Sequence, residues 1–259
     1  MSENRREAAA IRRWCPGQRW YHPLIAALVI RVSRFVTNRL NSLTIEGLER
    51  FASLRERGAR GLLTFSNHVS LFDDPLLLSN FPLGRYAEVR WVAADAINFF
   101  GSPWKAWVFT AGKSVPIVRG ASMEQPGFRF LRERLLEGEW VHIFPEGGRT
   151  RHSLALMTHP FKAGIGRLMA ESRPLALPFY HYGMHRVLPL GARLPRRGTS
   201  VRLVFGETID CDEAYLRRVA AESCDGVAEG PALWQALAAR SYEALRELEL
   251  RVNPDAGSG

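Results

Sequence analysis

Apolar runs of five or six residues alternate with helical patterns through most of this 259-residue chain. The runs lie at residues 43–48, 61–66, 89–94, 114–118, 140–144, 175–180 and 201–205. Between them, apolar side chains recur at helical spacing from Pro75 onward and at residues 99–110, 126–136 and 163–171. Strands that alternate with helices of about ten residues form a largely parallel sheet covered by helices. The alternation therefore predicts an α/β fold with a mostly parallel sheet flanked by helices.

The two ends of the chain have a different pattern. Residues 1–18 are polar and rich in arginine and glutamate, which predicts a loose arm or a short helix, and a further helix is predicted from Pro231 onward. Residues 20–36 have apolar side chains at helical spacing, with Trp14, Trp20, Tyr21, Arg31, Arg34 and Arg39 among or beside them. A basic amphipathic helix led by aromatic residues suits the headgroup layer of a membrane. A helix packed on the core is the alternative.

Charge and cysteine content exclude several classes of protein. The chain has 32 arginines, three lysines and a net charge of +9, and its 46% hydrophobic content excludes a wholly disordered chain. Cys15, Cys211 and Cys224 lie far apart without Cys-x-x-Cys spacing, so neither a disulfide scaffold nor a structural zinc site is predicted. The apolar run at residues 23–30 is shorter than the ~20 residues of a single straight membrane span.

The most informative stretch follows the strand predicted at residues 61–66. It holds Asn67 and His68 and, five positions after the histidine, Asp73; the pair Asp74-Pro75 predicts that a helix begins there. His68 and Asp73 would then lie at the two ends of one short loop, where they can face each other. A carboxylate on one imidazole nitrogen fixes the tautomer and leaves the other nitrogen as a base. Ordinary loop hydrogen bonding is the alternative for such a pair.

A second polar turn, Glu146-Gly147-Gly148-Arg149, follows the strand predicted at residues 140–144. Glycines let backbone N–H groups approach an anion, and an arginine holds it with a fork of donors. Ligands of parallel sheets bind beyond the carboxyl ends of strands, so this turn and the His68 loop are expected at one edge. Arg119, at the end of another predicted strand, is a further candidate for holding a phosphate, with a solvated surface arginine as the alternative.

Four blocks of sequence carry a family resemblance. Asn67-His68-x4-Asp73, Ile117-Val118-Arg119, Phe144-Pro145-Glu146-Gly147 and Leu177-Pro178-Phe179 resemble, in order and spacing, the blocks of the glycerolipid acyltransferases, also called His-x4-Asp acyltransferases. The resemblance covers roughly residues 40 to 210. Within the family the chain looks most like the tafazzin branch of phospholipid–lysophospholipid transacylases, on Asp73-Asp74-Pro75 and on residues 140–147 and 162–168. Gly148-Arg149-Thr150 is closer to the acyltransferases that form phosphatidic acid, which leaves the acyl donor and acceptor open.

The resemblance implies a mechanism and a domain organisation. His68, oriented by Asp73, would take the proton from a lysophospholipid hydroxyl, which attacks the acyl carbonyl of the donor directly. Glu146 and Gly147 would position the glycerol, while Arg119 and Arg149 would hold its phosphate; no metal or other cofactor is implied. The expected organisation is an arm and interfacial helix at residues 1–40, a catalytic domain at 41–210 and a helical extension at 211–259.

The implied partners are phospholipid, lysophospholipid and a membrane surface, with no nucleic acid. Acyl-CoA or acyl carrier protein would be the donor in the alternative that makes phosphatidic acid. The expected location is peripheral or monotopic on a membrane, either the cytoplasmic face of a bacterial inner membrane or a mitochondrial membrane. A second candidate anchor is the aromatic cluster Phe99, Phe100, Trp104, Trp107 and Phe109, for which core packing is the alternative.

Two other classes of function remain open from the sequence. A metal-dependent hydrolase could use His68, Asp73, Asp74 and Glu146 as ligands. A basic protein that binds nucleic acid or an anionic membrane would need the positive charge but not the two polar loops. Two features argue against binding of nucleic acid: the aromatic residues lie in apolar runs, and the sequence has no nucleic-acid-binding motif.

Overall fold

The computed structural model describes residues 3–17, 19–158, 160–192, 194–223, 226 and 229–257, so Cys224 lies outside the described residues. The strands are β1 (Ser42–Glu46), β2 (Leu62–Ser66), β3 (Trp91–Asp95), β4 (Ser114–Ile117), β5 (Trp140–Ile143), β6 (Leu175–Tyr182), β7 (Ser200–Phe205) and β8 (Ile209–Asp210). The α-helices are α1 (Glu3–Arg13), α2 (His22–Phe35), α3 (Leu48–Ser53), α4 (Ala96–Phe100), α5 (Pro103–Ala111), α6 (Pro126–Leu136), α7 (Gly164–Ser172), α8 (Met184–Val187), α9 (Glu213–Ser223) and α10 (Gly230–Val252). Wider π-helical turns form at Val36–Leu40 and Asp74–Leu78, and tighter 3-10 turns form at Leu54–Glu56 and Tyr86–Glu88.

The strands form one mixed sheet in the order β1-β7-β6-β2-β5-β3-β4. The five neighbours from β6 to β4 run parallel, whereas β7 runs antiparallel to β6 and parallel to β1. The short strand β8 pairs antiparallel with the beginning of β6. In the centre, Leu62 of β2 lies opposite Trp140 of β5 on one side and Leu175 of β6 on the other. The predicted mostly parallel α/β sheet flanked by helices is confirmed.

All seven predicted strands form within two residues of their predicted ends, but two predicted helices differ from expectation. The pattern at residues 99–110 is divided between α4 and α5, because Pro103 lacks an N–H group and begins a new helix. The helix expected from Pro75 is a single wide turn that ends at Leu78. Asn80 Nδ2 donates to the carbonyl of Leu76 at 2.7 Å and so closes the end of that turn.

Apolar side chains fill both faces of the sheet, because successive residues of a strand point to opposite faces. Leu63 and Val141 face a cluster that includes side chains of α6, α7, α9 and α10. Leu62 and Leu177 face the second cluster on the opposite side. With both faces covered, the polar carboxyl ends of the parallel strands are where a site can form.

The C-terminal helix α10 is packed tightly into the first of these clusters. Its residues Leu233, Leu237 and Leu245 are completely buried. The carbonyl of Trp234 lies so close to Gly166 of α7 that a Cβ at this glycine would collide with it. The position of α10 is therefore fixed by the same core that fixes the sheet.

The helix α2 has one face on the protein and the other in solvent. Ala26 and Ser33 are buried, whereas Leu24 and Leu28 are each 63% exposed. Exposed apolar side chains of α2 and of the adjacent helix α5, together with Trp20 two residues before α2, form what we call the apolar face. It consists of Trp20, Leu24, Leu28, Val32, Phe35, Trp104 and Trp107. Tyr21 joins the two helices, since its ring centroid lies 5.7 Å from that of Trp107. Within the described parts of the chain, no helix is both long and apolar enough to cross a bilayer.

The aromatic cluster predicted as a second anchor is split by the structure. Phe99 and Phe109 pack edge to face at 4.6 Å, and Phe100 is completely buried. Only Trp104 and Trp107 of that group are exposed. The three phenylalanines therefore pack in the core, which was the alternative to a membrane anchor. The two tryptophans extend the exposed apolar surface of α2.

Candidate active site

His68 and Asp73 face each other across the loop that follows β2. His68 Nδ1 lies 3.0 Å from Asp73 Oδ2, and the same oxygen accepts the backbone N–H groups of Val69 at 2.7 Å and Ser70 at 2.8 Å. Burial acts to raise the pKa of Asp73, but the His181 and His68 imidazoles and the Ser70 N–H outweigh it, and that pKa is lowered. Asp73 is thus a buried carboxylate that closes the loop and orients the ring of His68.

The ring of His68 is held from two sides. It stacks on Phe144 with the ring centroids 4.0 Å apart, and its Nδ1 faces the Asp73 carboxylate. With Nδ1–H donated to the carboxylate, the neutral ring has Nε2 as its free acceptor. Among the residues that the structure describes, none is hydrogen-bonded to Nε2. The side chain is 16% exposed, so Nε2 is available to a hydroxyl group that enters the site.

The His68 loop is anchored to strand β6 through Asn67. The buried amide of Asn67 donates to the carbonyl of His181 at 2.9 Å and accepts the His181 N–H at 3.0 Å, as a neighbouring strand would. The imidazole Nε2 of His181 lies 3.0 Å from the Asn67 carbonyl and 3.7 Å from Asp73 Oδ2. Burial lowers the pKa of His181, although Asp73 opposes the shift. Asp73 therefore lies between two imidazoles, the partly exposed His68 in the loop and the buried His181 on β6.

Glu146 lies beneath the loop and holds its backbone. Its Oε1 accepts the N–H of His68 at 2.7 Å, and its Oε2 accepts the N–H of Thr158 at 2.6 Å. Burial is the largest cause that raises the pKa of Glu146 to about 7, against the opposing N–H bonds from Thr158 and His68. The predicted role of Glu146 in positioning glycerol stays a prediction, and in the structure both carboxylate oxygens already bind protein backbone.

Basic side chains surround the turn that follows Glu146. Arg119 is paired with Asp95 at 3.1 Å, and its Nη1 lies 3.8 Å from where a Cβ on Gly148 would be. The aliphatic part of Lys162 lies over Gly147, with Cγ 3.2 Å from the corresponding Cβ position. Arg149 is half-buried on the turn itself, and no hydrogen bond or ion pair of its side chain is found among the described residues. Arg119 and Lys162 thus lie beside the turn that carries Arg149, and such a group of basic residues suits a phosphate.

The sequence did not assign a role to Lys162 or His181. Lys162 is one of only three lysines and stands just before α7, while His181 stands at the carboxyl end of β6. The rule that ligands bind beyond the ends of parallel strands would have selected His181. The approach of Lys162 to Gly147 depends on how the segment between β5 and α7 folds back, which no local pattern reveals.

The arrangement does not gather the donors that a metal-dependent hydrolase would need. Asp74 points away from the loop and pairs with Arg90. Asp73 Oδ2 and both carboxylate oxygens of Glu146 accept N–H groups of the protein. Within the described residues, no three His, Cys, Asp or Glu side chains form a metal-binding group. Ser70, the hydroxyl inside the loop, is buried and donates to the carbonyl of Leu188 at 3.3 Å.

The sequence from residue 42 to residue 182 matches the family model described as Acyltransferase. This match spans the strands β1 to β6 and every loop that contributes to the site. The chain belongs to the Acyltransferase family. The resemblance deduced from the four sequence blocks is thereby confirmed, and the predicted pair His68 and Asp73 lies inside the matched region.

Curated relatives of this acyltransferase include two tafazzins. The protein named taffazin of Dictyostelium discoideum is 34% identical over 193 residues, which cover 70% of this chain and 67% of the relative. The tafazzin of Drosophila melanogaster is 32% identical over 213 residues, which cover 78% of this chain and 55% of the relative. An N-acylphosphatidylethanolamine synthase of Arabidopsis thaliana is 30% identical over 201 residues, covering 71% and 70% of the two chains.

A solved structure supports the fold. The crystal structure of PlsC, the 1-acyl-sn-glycerophosphate acyltransferase of Thermotoga maritima, superposes with a TM-score of 0.54 at 18% identity and covers 90% of this acyltransferase and 84% of PlsC. At 18% identity the similarity concerns the fold alone, that is, the arrangement of the sheet and its helices. It agrees with the mixed sheet described above.

Proposed function

We propose that this acyltransferase moves a fatty acyl group from a phospholipid donor onto the free hydroxyl of a lysophospholipid. The observation that carries the proposal is the geometry of His68, whose Nδ1 is held by Asp73 and whose Nε2 is free at the edge of the sheet. The similarity to tafazzins supports a phospholipid as the donor. The proposed location is peripheral or monotopic on a membrane, where both lipids reside.

The chemistry requires one base and no covalent acyl-enzyme. His68 Nε2 takes the proton from the lysophospholipid hydroxyl as its oxygen attacks the acyl carbonyl of the donor. The tetrahedral intermediate then expels the donor's glycerol oxygen, which receives the proton from the imidazolium. Asp73 stabilises that imidazolium, because it is a buried carboxylate directly on Nδ1.

The phosphate of the acceptor would be held by the cations around Gly147 and Gly148. Arg119 and Arg149 offer planar forks of donors, and Lys162 adds a third charge on the same turn. In this proposal Gly147 and Glu146 set the position of the turn, and the arginines make the contacts with the lipid.

The donor is tested by a single experiment with purified protein. Vesicles contain phosphatidylcholine labelled in its acyl chain together with lysophospholipid, with and without acyl-CoA. We expect the label to appear in the acceptor without acyl-CoA and to depend on His68, with His68→Ala reducing the rate roughly 10³-fold. Near wild-type transfer by His68→Ala would overturn the assignment of His68 as the base.

The second candidate function is the acyl-CoA- or acyl-carrier-protein-dependent formation of phosphatidic acid from 1-acylglycerol 3-phosphate. The observation in its favour is the turn Gly148-Arg149 beside Arg119, which suits a terminal phosphate. In the experiment above, transfer only when acyl-CoA or acyl carrier protein is supplied, with 1-acylglycerol 3-phosphate as the better acceptor, would establish this function instead.

The apolar face is the proposed membrane-docking surface. Large apolar side chains at Leu24, Leu28, Val32 and Phe35 are exposed on one helix, and Trp104 and Trp107 continue the surface on α5. Contiguous exposed apolar surface of this kind marks a contact with another apolar phase. Tryptophan suits the headgroup level of a bilayer. Residues 67–73, which hold His68 and Asp73, are called the catalytic loop below. Docking through the apolar face would present α2 to the lipid, and α2 adjoins the Asp74–Leu78 turn that follows this loop.

A further inference from the structure

The segment 151–158 lies between the catalytic loop and helix α10, and it has no regular secondary structure. On the catalytic side, the N–H of Thr158 donates to Glu146 Oε2 at 2.6 Å. Just before the segment, the N–H of Thr150 donates to the carbonyl of His68 at 2.8 Å. Within the segment, Ala155 is buried with φ of 56°, a left-handed conformation that is unfavourable for a residue with a Cβ. A segment in such a conformation needs contacts that hold it.

Those contacts come from two residues of the C-terminal region. Glu249 Oε1 accepts the N–H of Met157 at 2.8 Å, and Asn253 Nδ2 donates to the carbonyl of Leu154 at 3.1 Å. The two side chains are four positions apart, so they project from the same side of the chain as it leaves α10. Glu249 is 1% exposed and Asn253 is 2% exposed.

The buried carboxylate of Glu249 has two further side-chain partners. Arg246 Nη1 lies 2.6 Å from Glu249 Oε2, and the hydroxyl of Tyr180 donates to Oε1 at 3.3 Å. Asn253 Nδ2 also lies 3.4 Å from the Tyr180 hydroxyl. Strand β6 and helix α10 therefore share one buried polar network, and the segment is attached to it.

We propose that Glu249 and Asn253 are positioning residues for acyl transfer, which hold segment 151–158 against Glu146 and through Glu146 fix the backbone of His68. Each link in this chain is a hydrogen bond of 3.1 Å or less, from Asn253 and Glu249 to the segment, from Thr158 to Glu146 and from His68 to Glu146. Both residues lie outside residues 42–182, the part matched by the family model. The inference rests on the proposed role of His68 as the base.

Glu249 also acts on Glu146 through its charge. Burial chiefly, and the Glu249 carboxylate in addition, raise the pKa of Glu146 to about 7. Protonation of Glu146 turns one of its two acceptors into a hydroxyl group and releases one of the N–H bonds, so activity falls as the pH drops through about 7. Other titratable or charged groups around Glu146 and its turn are His68, Asp95, Arg119, Arg149, Arg151, His152, Lys162, Tyr180, Tyr242 and Arg246.

The test compares variants of Glu249 in the vesicle assay with the donor that the wild-type protein uses. Glu249→Ala removes the acceptor for Met157, and we expect kcat to fall roughly tenfold to a hundredfold with KM within about twofold. Glu249→Gln keeps an acceptor oxygen and removes the charge. It should therefore restore most of kcat and move the acid limb of the pH–rate profile to lower pH, because the pKa of Glu146 falls when a neighbouring negative charge is removed. Asn253→Ala should lower kcat without moving that limb.

Two residues of α10 provide matched controls. Ser241→Ala removes a completely buried hydroxyl that donates within α10 and faces Met169, so it reports the effect of disturbing the helix alone. Glu247→Gln removes the same charge as Glu249→Gln from an exposed position. Both should keep wild-type kcat and the wild-type acid limb, with melting temperatures recorded for every variant.

The positioning role is overturned if the kcat of Glu249→Ala is as high as that of the control Ser241→Ala. It is equally overturned if the acid limb of the pH–rate profile lies at the same pH in Glu249→Gln and in the control Glu247→Gln. It is also overturned if KM rises while kcat is unchanged, since that would indicate a substrate contact. These outcomes differ from a failure of the proposed function. If His68→Ala stays active, the assignment of His68 as the base is wrong, regardless of the results for Glu249. If His68→Ala is inactive and Glu249→Ala is fully active, only the positioning role is wrong.

Discussion

The catalytic loop and the apolar face expose opposite kinds of surface. Around His68, the polar atoms of Asp73 Oδ2, Asn67 and Glu146 are buried and hydrogen-bonded to backbone. On α2, large apolar side chains such as Leu24 and Leu28 are exposed in the part of the chain that the structure describes. The hydrogen bonds that hold the loop come from the protein itself, whereas no described element covers the exposed side chains of the apolar face. The proposed chemistry and the proposed membrane contact therefore belong to separate regions, which can be disturbed one at a time.

The largest effect should come from Asp73→Asn. The amide cannot serve as the anionic partner of His68 Nδ1, so the imidazole loses its fixed tautomer and the stabilisation of its protonated form. We expect kcat to fall roughly 10³- to 10⁴-fold, while vesicle binding stays unchanged because the apolar face is intact. The transfer assay measures the loss of kcat, and sedimentation with vesicles of the same preparation measures the binding. Weakened vesicle binding in this variant would mean that the two regions are coupled.

The converse variant is Leu28→Glu combined with Val32→Glu. Burial of one such side chain contributes about 1.5–3 kcal/mol, so we expect vesicle partitioning to weaken roughly 10²-fold or more. The rate on short-chain substrates dissolved below their micellar concentration should be retained. The matched control is Leu136→Glu with Leu250→Glu, two similarly exposed leucines on α6 and α10. Equal loss of partitioning in the control pair would show that charge alone, and not this face, determines the binding.

The two regions also differ in how far the sequence predicts them. Helical spacing gave the helix from residue 22 and its apolar residues, because amphipathicity is a local property of the sequence. The pairing of His68 with Asp73 was predictable for a similar reason, since the two residues belong to one short loop. The strand ends placed Arg119 and Glu146 at one edge of the sheet.

What the sequence could not give are contacts between distant segments. Glu146 was expected to face glycerol, but whether its oxygens meet ligand or backbone depends on Thr158 and on the path of the segment between β5 and α7. Glu249 lies 92 positions from Met157 along the chain, and no spacing rule connects them. The division of the aromatic cluster into buried phenylalanines and exposed tryptophans likewise follows from tertiary packing, because both kinds of residue fit the same helical pattern.

The smallest expected effect distinguishes the two neighbouring glycines of the Glu146 turn, and it tests how rigid the catalytic region is. Gly147 has φ of 72°, and a Cβ there would lie 3.2 Å from Lys162 Cγ, whereas a Cβ at Gly148 would meet only Arg119 Nη1 at 3.8 Å. Gly147→Ala should cost about 1–2 kcal/mol and lower the melting temperature by about 2–5 °C. Its kcat should fall several-fold, because the turn carries the adjacent carboxylate that binds the His68 N–H. Gly148→Ala should leave the melting temperature unchanged, and its kcat should stay above that of Gly147→Ala. If alanine is tolerated equally at both positions, the Glu146 turn adjusts its backbone freely. Of the region around the base, only the pairing of His68 with Asp73 would then be held rigidly, in contrast to the exposed apolar face.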